Sequence, residues 1–174
     1  MTGNAQSKGH SLLHANSQSA NSEKFMAEAL REAELAFAEK ETPIGAVVVH
    51  QGRIIGRGHN RTITLSDPTA HAEMIALTSA CETIGDWRLN ECDLYCTVEP
   101  CVMCAGASLL ARVRKIYFGA TEPKFGGCGS LFQIPQDTRL NHQCEIEGGI
   151  LAHESAALLQ EFFQQLRRKK AGQN

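Results

Sequence analysis

Two short motifs put metal-ligating and proton-carrying side chains close together: His71 and Glu73 within TAHAEMIAL, residues 69–77, and Cys101 and Cys104 within PCVMC. Cysteines three apart on a helix share a face, so two thiolates converge on one ion, and the free N–H groups of a first helical turn stabilise their charge. A structural zinc site is closed by four protein ligands, whereas a catalytic one keeps a position for water. His71, Cys101 and Cys104 make three ligands, so the set predicts one Zn2+ with room for a water that the metal acidifies toward neutral pH. Glu73 is then the proton acceptor. Residues two apart in a continuous helix point about 200° away from each other, so His71 and Glu73 serve one site only from the mouth of a helix. Each motif alone has an ordinary reading, as a core histidine or a redox pair; the combination points to hydrolytic zinc chemistry. The other cysteine pair, Cys92 and Cys96, lies too far apart along a strand to chelate easily and reads as core or edge thiols.

The elements that must position these residues are legible in the patterning. Met26, Leu30, Ala33 and Phe37 recur at helical spacing, giving a first helix from Phe25 that Pro43 ends. IGAVVVH, a Gln51-Gly52 turn and RIIGRGHN predict a β-hairpin. TAHAEMIAL opens a second helix with Met74, Leu77 and Cys81 on its apolar face and Thr69 or Asp67 as its cap. CDLYCTVE is a strand, Pro100 begins a helix through CVMCAGASLLARV, KIYFGA is another strand, TEPKFGGCGS a glycine-rich loop. A last helix carries Leu158, Leu159, Phe162, Phe163 and Leu166. Alternating strands and helices predict a three-layer α/β/α domain around a mixed sheet. The expected organisation is a flexible polar extension over 1–22, a catalytic domain over 23–170 and a tail over 171–174.

Composition bounds the function. A chain of 174 residues suits one domain. No apolar run approaches the roughly 20 residues of a membrane span, and no secretory segment is visible, so a cytoplasmic protein is expected. An odd number of cysteines, seven, does not resemble a secreted disulfide framework. A net charge of −2 excludes binding nucleic acid by bulk cationic charge, but not by a local patch such as RRKK at 167–170.

His-x-Glu with Pro-Cys-x-x-Cys is the signature of zinc-dependent nucleobase deaminases, a pattern defined partly on tRNA adenosine deaminases and so carried over from them. From Phe25 to Lys170 the chain resembles the tRNA adenosine deaminase family of the bacterial TadA type, within the cytidine deaminase-like superfamily. The likeness is carried in order by PIGAVVV, GHNR, DPTAHAEMIAL, TVEPCVMCAGA, IYFGA, EPKFGGCGS, LNHQCEIEGGILAHE and FFQQLRR. The resemblance implies a cytidine deaminase-like fold, zinc on His71, Cys101 and Cys104, and a proton shuttle at Glu73. It further implies that Asn60 bonds the target nucleoside, and that Pro43, Ile44 and Val98 wall the pocket. Lys124, Phe163 and Arg167 would contact RNA. The implied substrate is the wobble adenosine in the anticodon loop of a tRNA, an arginine tRNA by family pattern, converted to inosine with loss of ammonia. The family is also dimeric, and small residues at 105–108 would allow a partner helix close approach. Two departures stand out: Glu122 where the family commonly has aspartate, lengthening a carboxylate expected to accept from a ribose hydroxyl, and Cys128 where a small residue is usual.

Two other readings fit the zinc motif. One is a small-molecule deaminase of the same superfamily, acting on guanine, cytosine or a free nucleoside. The other is a zinc-stabilised RNA-binding subunit without activity, against which the presence of Glu73 argues.

Overall fold

The computed structural model describes residues 6–171, with the side chains of 19–169 and 171. Ten elements follow one another: α1 (Gln6–Ala38), β1 (Gly45–His50), β2 (Arg53–His59), α2 (Ala72–Ile84), β3 (Cys92–Val98), α3 (Val102–Leu110), β4 (Lys115–Ala120), a 3-10 turn (Ile134–Gln136), β5 (Glu145–Gly148) and α4 (Ala152–Ala171). The sheet order is β2-β1-β3-β4-β5. β1 runs antiparallel to β2 and β3, while β3, β4 and β5 are parallel. The hairpin turns on Gln51 (φ 48°) and Gly52 (φ 74°), two left-handed residues that match the twist of the flanking strands.

Strand alternation sorts the core into two faces. Ala46, Val48, Leu94, Cys96, Ile116 and Phe118 face α2 and α3; Val47, Val49, Tyr95 and Tyr117 face α1. Phe37 of α1 meets Phe162 of α4 edge-on at 5.7 Å, so α1 and α4 form one outer layer and α2 and α3 the other. The three-layer mixed sheet expected from the sequence is the fold observed.

Three local expectations change. The backbone of α1 is helical from Gln6, so the helix reaches back through most of the segment expected to be an extension; residues 1–5 and 172–174 lie outside the described residues. The buried stripe of α2 is Ala72, Ala76, Leu77 and Ala80, with Met74 and Cys81 only half-buried. The reason is close approach: a Cβ on Gly58 of β2 would overlap the Ala72 carbonyl oxygen, so only small side chains fit between helix and strand. Finally, β5 was not expected. Its sequence, EIEG, is short and half charged, and it is held as an edge strand by parallel pairing to β4.

Candidate active site

Both ligand-bearing motifs sit where a helix starts. His71 is the N-cap of α2 (φ −77°, ψ 154°) and Cys101 the N-cap of α3 (φ −67°, ψ 172°). Both are in extended conformation, and their carbonyls accept the first helical bonds from Ile75 (3.1 Å) and Ala105 (2.8 Å). Neither makes a side-chain cap bond, which leaves imidazole and thiol free. The cap expected from Thr69 or Asp67 is therefore corrected: Asp67 Oδ1 accepts instead from the N–H and hydroxyl of Thr69, 2.7 Å each, closing a turn ahead of the helix. At this helix mouth Glu73, on the first turn, does share one site with His71.

His71 Nδ1 lies 3.6 Å from Cys101 Sγ and 3.5 Å from Cys104 Sγ, and the three ligand atoms fall within 4.8 Å of one another. Tetrahedral zinc with Zn–S near 2.3 Å and Zn–N near 2.0–2.1 Å sets N···S at about 3.6 Å. The donor set thus fits zinc in type and in spacing. Cys101 is pushed down to about 4 by the hydrogen bond from Cys104 and by the neighbouring His71, whose own pKa is raised chiefly by that thiolate. Cys104 goes the opposite way, raised because in the metal-free chain it keeps its own proton and donates it to the Cys101 thiolate. Among the described residues no other His, Cys or carboxylate cluster offers a metal three ligands. Cys92 and Cys96 are wholly buried core thiols.

The ligands open into a pocket of about 350 Å³ lined by Ile44, His71, Glu73, Val98, Glu99, Cys101, Val102, Glu122 and Phe125. It lies beyond the C-terminal end of β3, the usual place for a site in an α/β sheet. Glu73 is 4% exposed, and burial pushes its pKa up to about 6. The wall residues expected from the sequence, Ile44 and Val98, are there; Pro43 is fully buried behind them. Glu122 is at the rim, with Oε1 accepting from the Lys124 N–H at 2.9 Å.

Four predicted residues do not line this pocket. Asn60 is buried at the end of β2, its Nδ2 donating to Glu41 Oε2 (3.3 Å) and Thr62 Oγ1 (3.1 Å). Lys124 is exposed on the loop after β4, and Phe163 and Arg167 are exposed on α4. Sequence reasoning missed Glu99, Val102 and Phe125 in the pocket wall, and Glu41 behind Asn60. Glu99 had a weak signal: it sits between Val98 and Pro100 directly after a strand, and if such a carboxylate is buried it needs donors. It has four, the N–H groups of Glu122 (3.0 Å), Cys128 (3.1 Å) and Ser130 (2.9 Å) and the Ser130 hydroxyl.

Comparison with known proteins agrees with this geometry. The family model for the cytidine and deoxycytidylate deaminase zinc-binding region matches residues 19–120. A tRNA-specific adenosine deaminase of Bacillus subtilis (strain 168) is 48% identical over 148 residues, covering 85% of this chain and 92% of its own. A structure from a study of A-to-I editing by tRNA:A34 deaminases at the wobble position superposes with a TM-score of 0.75 at 45% identity, over 78% of this chain and 99% of that one. A guanine deaminase from Nitrosomonas europaea superposes with a TM-score of 0.72 at 26% identity, over 80% and 83% of the two chains.

Proposed function

This chain belongs to the bacterial tRNA-specific adenosine deaminase family within the zinc-binding cytidine deaminase superfamily, and we propose that it converts the wobble adenosine of a tRNA anticodon loop, that of an arginine tRNA, to inosine with release of ammonia. The observation that carries the reading is a three-ligand His/Cys/Cys cluster at zinc spacing with one desolvated carboxylate, Glu73, in the same pocket. One zinc ion per subunit would be held by His71, Cys101 and Cys104 and would supply Lewis acidity that readies water for attack near neutral pH. Glu73 does the proton work. With a pKa near 6 it is ionised at neutral pH, takes one proton from the attacking water and gives it to the adenine ring nitrogen as the C6–O bond forms. It then moves the second proton from the C6 hydroxyl to the amino group, so that the C6–N bond breaks with loss of ammonia and C6 becomes a carbonyl. Ile44 and Val98 wall the cavity that receives the flipped base.

An adenosine in a single-stranded loop costs little to extrude, and such loops are held by stacking and by hydrogen bonds to splayed bases. Exposed Lys124, Phe163 and Arg167 are available for those contacts, and Glu122 keeps acceptor capacity at the rim for a ribose hydroxyl. Asn60, fixed by Glu41 and Thr62, remains the residue that the family likeness assigns to the nucleoside, although it does not line the pocket. An apolar groove of about 470 Å³ between α2 and α3, lined by Met74, Leu77, Trp87, Ala107 and Leu110, supports a homodimer in which this groove meets a second copy of the chain. Trp87 is 55% and Leu110 70% exposed, so Leu110→Asp should shift the sedimentation mass from dimer to monomer. No described helix is long and apolar enough to cross a membrane; the cytoplasm is proposed from the tRNA substrate alone.

The rival reading, deamination of a free base, draws on the guanine deaminase likeness at 26% identity. It is weaker than the tRNA reading, which rests on 48% identity extending over 85% of the chain. Incubating the protein with an anticodon stem-loop bearing wobble adenosine, and separately with guanine, discriminates them: inosine in the RNA supports the proposal, and ammonia from guanine alone overturns it.

A further inference from the structure

Phe125 stands at the mouth of the catalytic pocket with 64% of its surface exposed, while Glu73 on the floor is 4% exposed. Single exposed apolar side chains are ordinary. What sets Phe125 apart is that its ring lines the same cavity as His71, Glu73 and Cys101 and that its backbone is held in place. The Phe125 carbonyl accepts from Val102 N–H at 3.1 Å, at the first turn of α3. The next residue, Gly126, bridges to Cys101, and its N–H donates to the Glu122 carbonyl at 2.8 Å. Glu99 ties both ends of the segment together by accepting from Glu122, Cys128 and Ser130. The ring is thus presented to solvent from a backbone anchored beside a zinc ligand, so little ordering remains to be done when something binds it.

We propose that Phe125 is a stacking platform for the nucleobase adjoining the reacting one, which makes it a determinant of preference for a polynucleotide loop over a free base. The inference rests on the RNA reading above. A base undergoing chemistry must reach Glu73 on the floor; a ring at the mouth lies beyond it, where the next nucleotide of a splayed loop passes. Every base has a π-face, so such a platform tolerates any neighbour and rewards connectivity. Exposed Lys124, the preceding residue, is placed to meet the phosphate on the same stretch.

The test is steady-state kinetics of the full-length zinc enzyme on an anticodon stem-loop, comparing wild type with Phe125→Ala, Phe125→Leu and Phe125→Trp. Loss of the ring should raise KM about tenfold, with a smaller fall in kcat; Trp should restore binding, and Leu, apolar but without a π-face, should not. In the Glu73→Ala background, 2-aminopurine beside the wobble position should be quenched on binding, and the added Phe125→Ala change should abolish the quench. If wild type edits the stem-loop while Phe125→Ala keeps its KM, or if Leu serves as well as Phe, the platform is overturned and the RNA reading stands. If wild type leaves the stem-loop untouched and deaminates guanine, the RNA reading falls and the platform with it.

Discussion

The floor and the rim of one pocket each bury a glutamate, and the two carboxylates are set to opposite purposes. Glu73 on the floor is 4% exposed and Glu99 at the rim 2%. Desolvation is the largest influence on both and raises both. On Glu73 little answers it, and the pKa climbs to about 6. On Glu99 the Ser130 hydroxyl and the N–H groups of Ser130, Glu122 and Cys128 together outweigh it, and the pKa falls below the usual carboxylate value. Low exposure alone therefore says nothing of role; Glu73 lies deeper in the protein and has fewer donors, and both differences push the two carboxylates apart. A carboxylate left short of donors is a base waiting for a proton, and one surrounded by them is a fastening for backbone.

The largest effect expected from breaking the contrast is on turnover. Glu73→Gln keeps the shape and removes the base, so kcat should fall by about 10²–10⁴-fold while the metal content stays at that of wild type. Turnover surviving the change would take Glu73 out of the mechanism. Glu99→Gln attacks the rim: one end of the new amide turns N–H groups toward N–H groups, costing about 1–3 kcal/mol in denaturant unfolding and loosening the loop that carries Glu122 and Phe125. It should therefore weaken RNA binding more than it slows chemistry. Ionic linkage separates the two further. Glu73, with its folded pKa raised, favours the native state below about 4.5 and loses that contribution as pH rises through about 6. In the metal-free chain Glu73→Gln should accordingly be more stable than wild type at neutral pH, by about 2 kcal/mol. Glu99, its pKa lowered, contributes above about 4.5 and loses that contribution as pH falls through its folded value, so Glu99→Gln should flatten the acid side of the stability curve. Curves of the same sign for the two variants would dissolve the distinction. Smallest is Ser130→Ala, which removes one donor of four; about 1 kcal/mol of stability and a modest rise in KM are expected.

Much of the site could be read before folding. His71, Glu73, Cys101 and Cys104 declare themselves by type and by local spacing; one helix mouth is announced by Pro100, while the other, expected at Asp67 or Thr69, lies at His71. The sheet followed from the continuous β-branched and aromatic runs that became β1, β3 and β4, buried on both faces. β5 escaped because Glu145 and Glu147 hide its single apolar residue, Ile146, in a strand of four that exists only through pairing with β4. The alanine stripe of α2 escaped because its reason lies in another element, at Gly58.

By itself, then, the order of residues determined the chemistry on offer: which atoms can bind a cation, which can carry a proton, and which turn of helix presents them. Those are short-range matters, settled within a few peptide units. Only the folded chain brought ligands 30 and 33 residues apart to a common point, set one buried glutamate against another, and put Phe125 at the mouth of the pocket. Solvation and donor supply depend on neighbours from distant segments, and no local pattern carries that information.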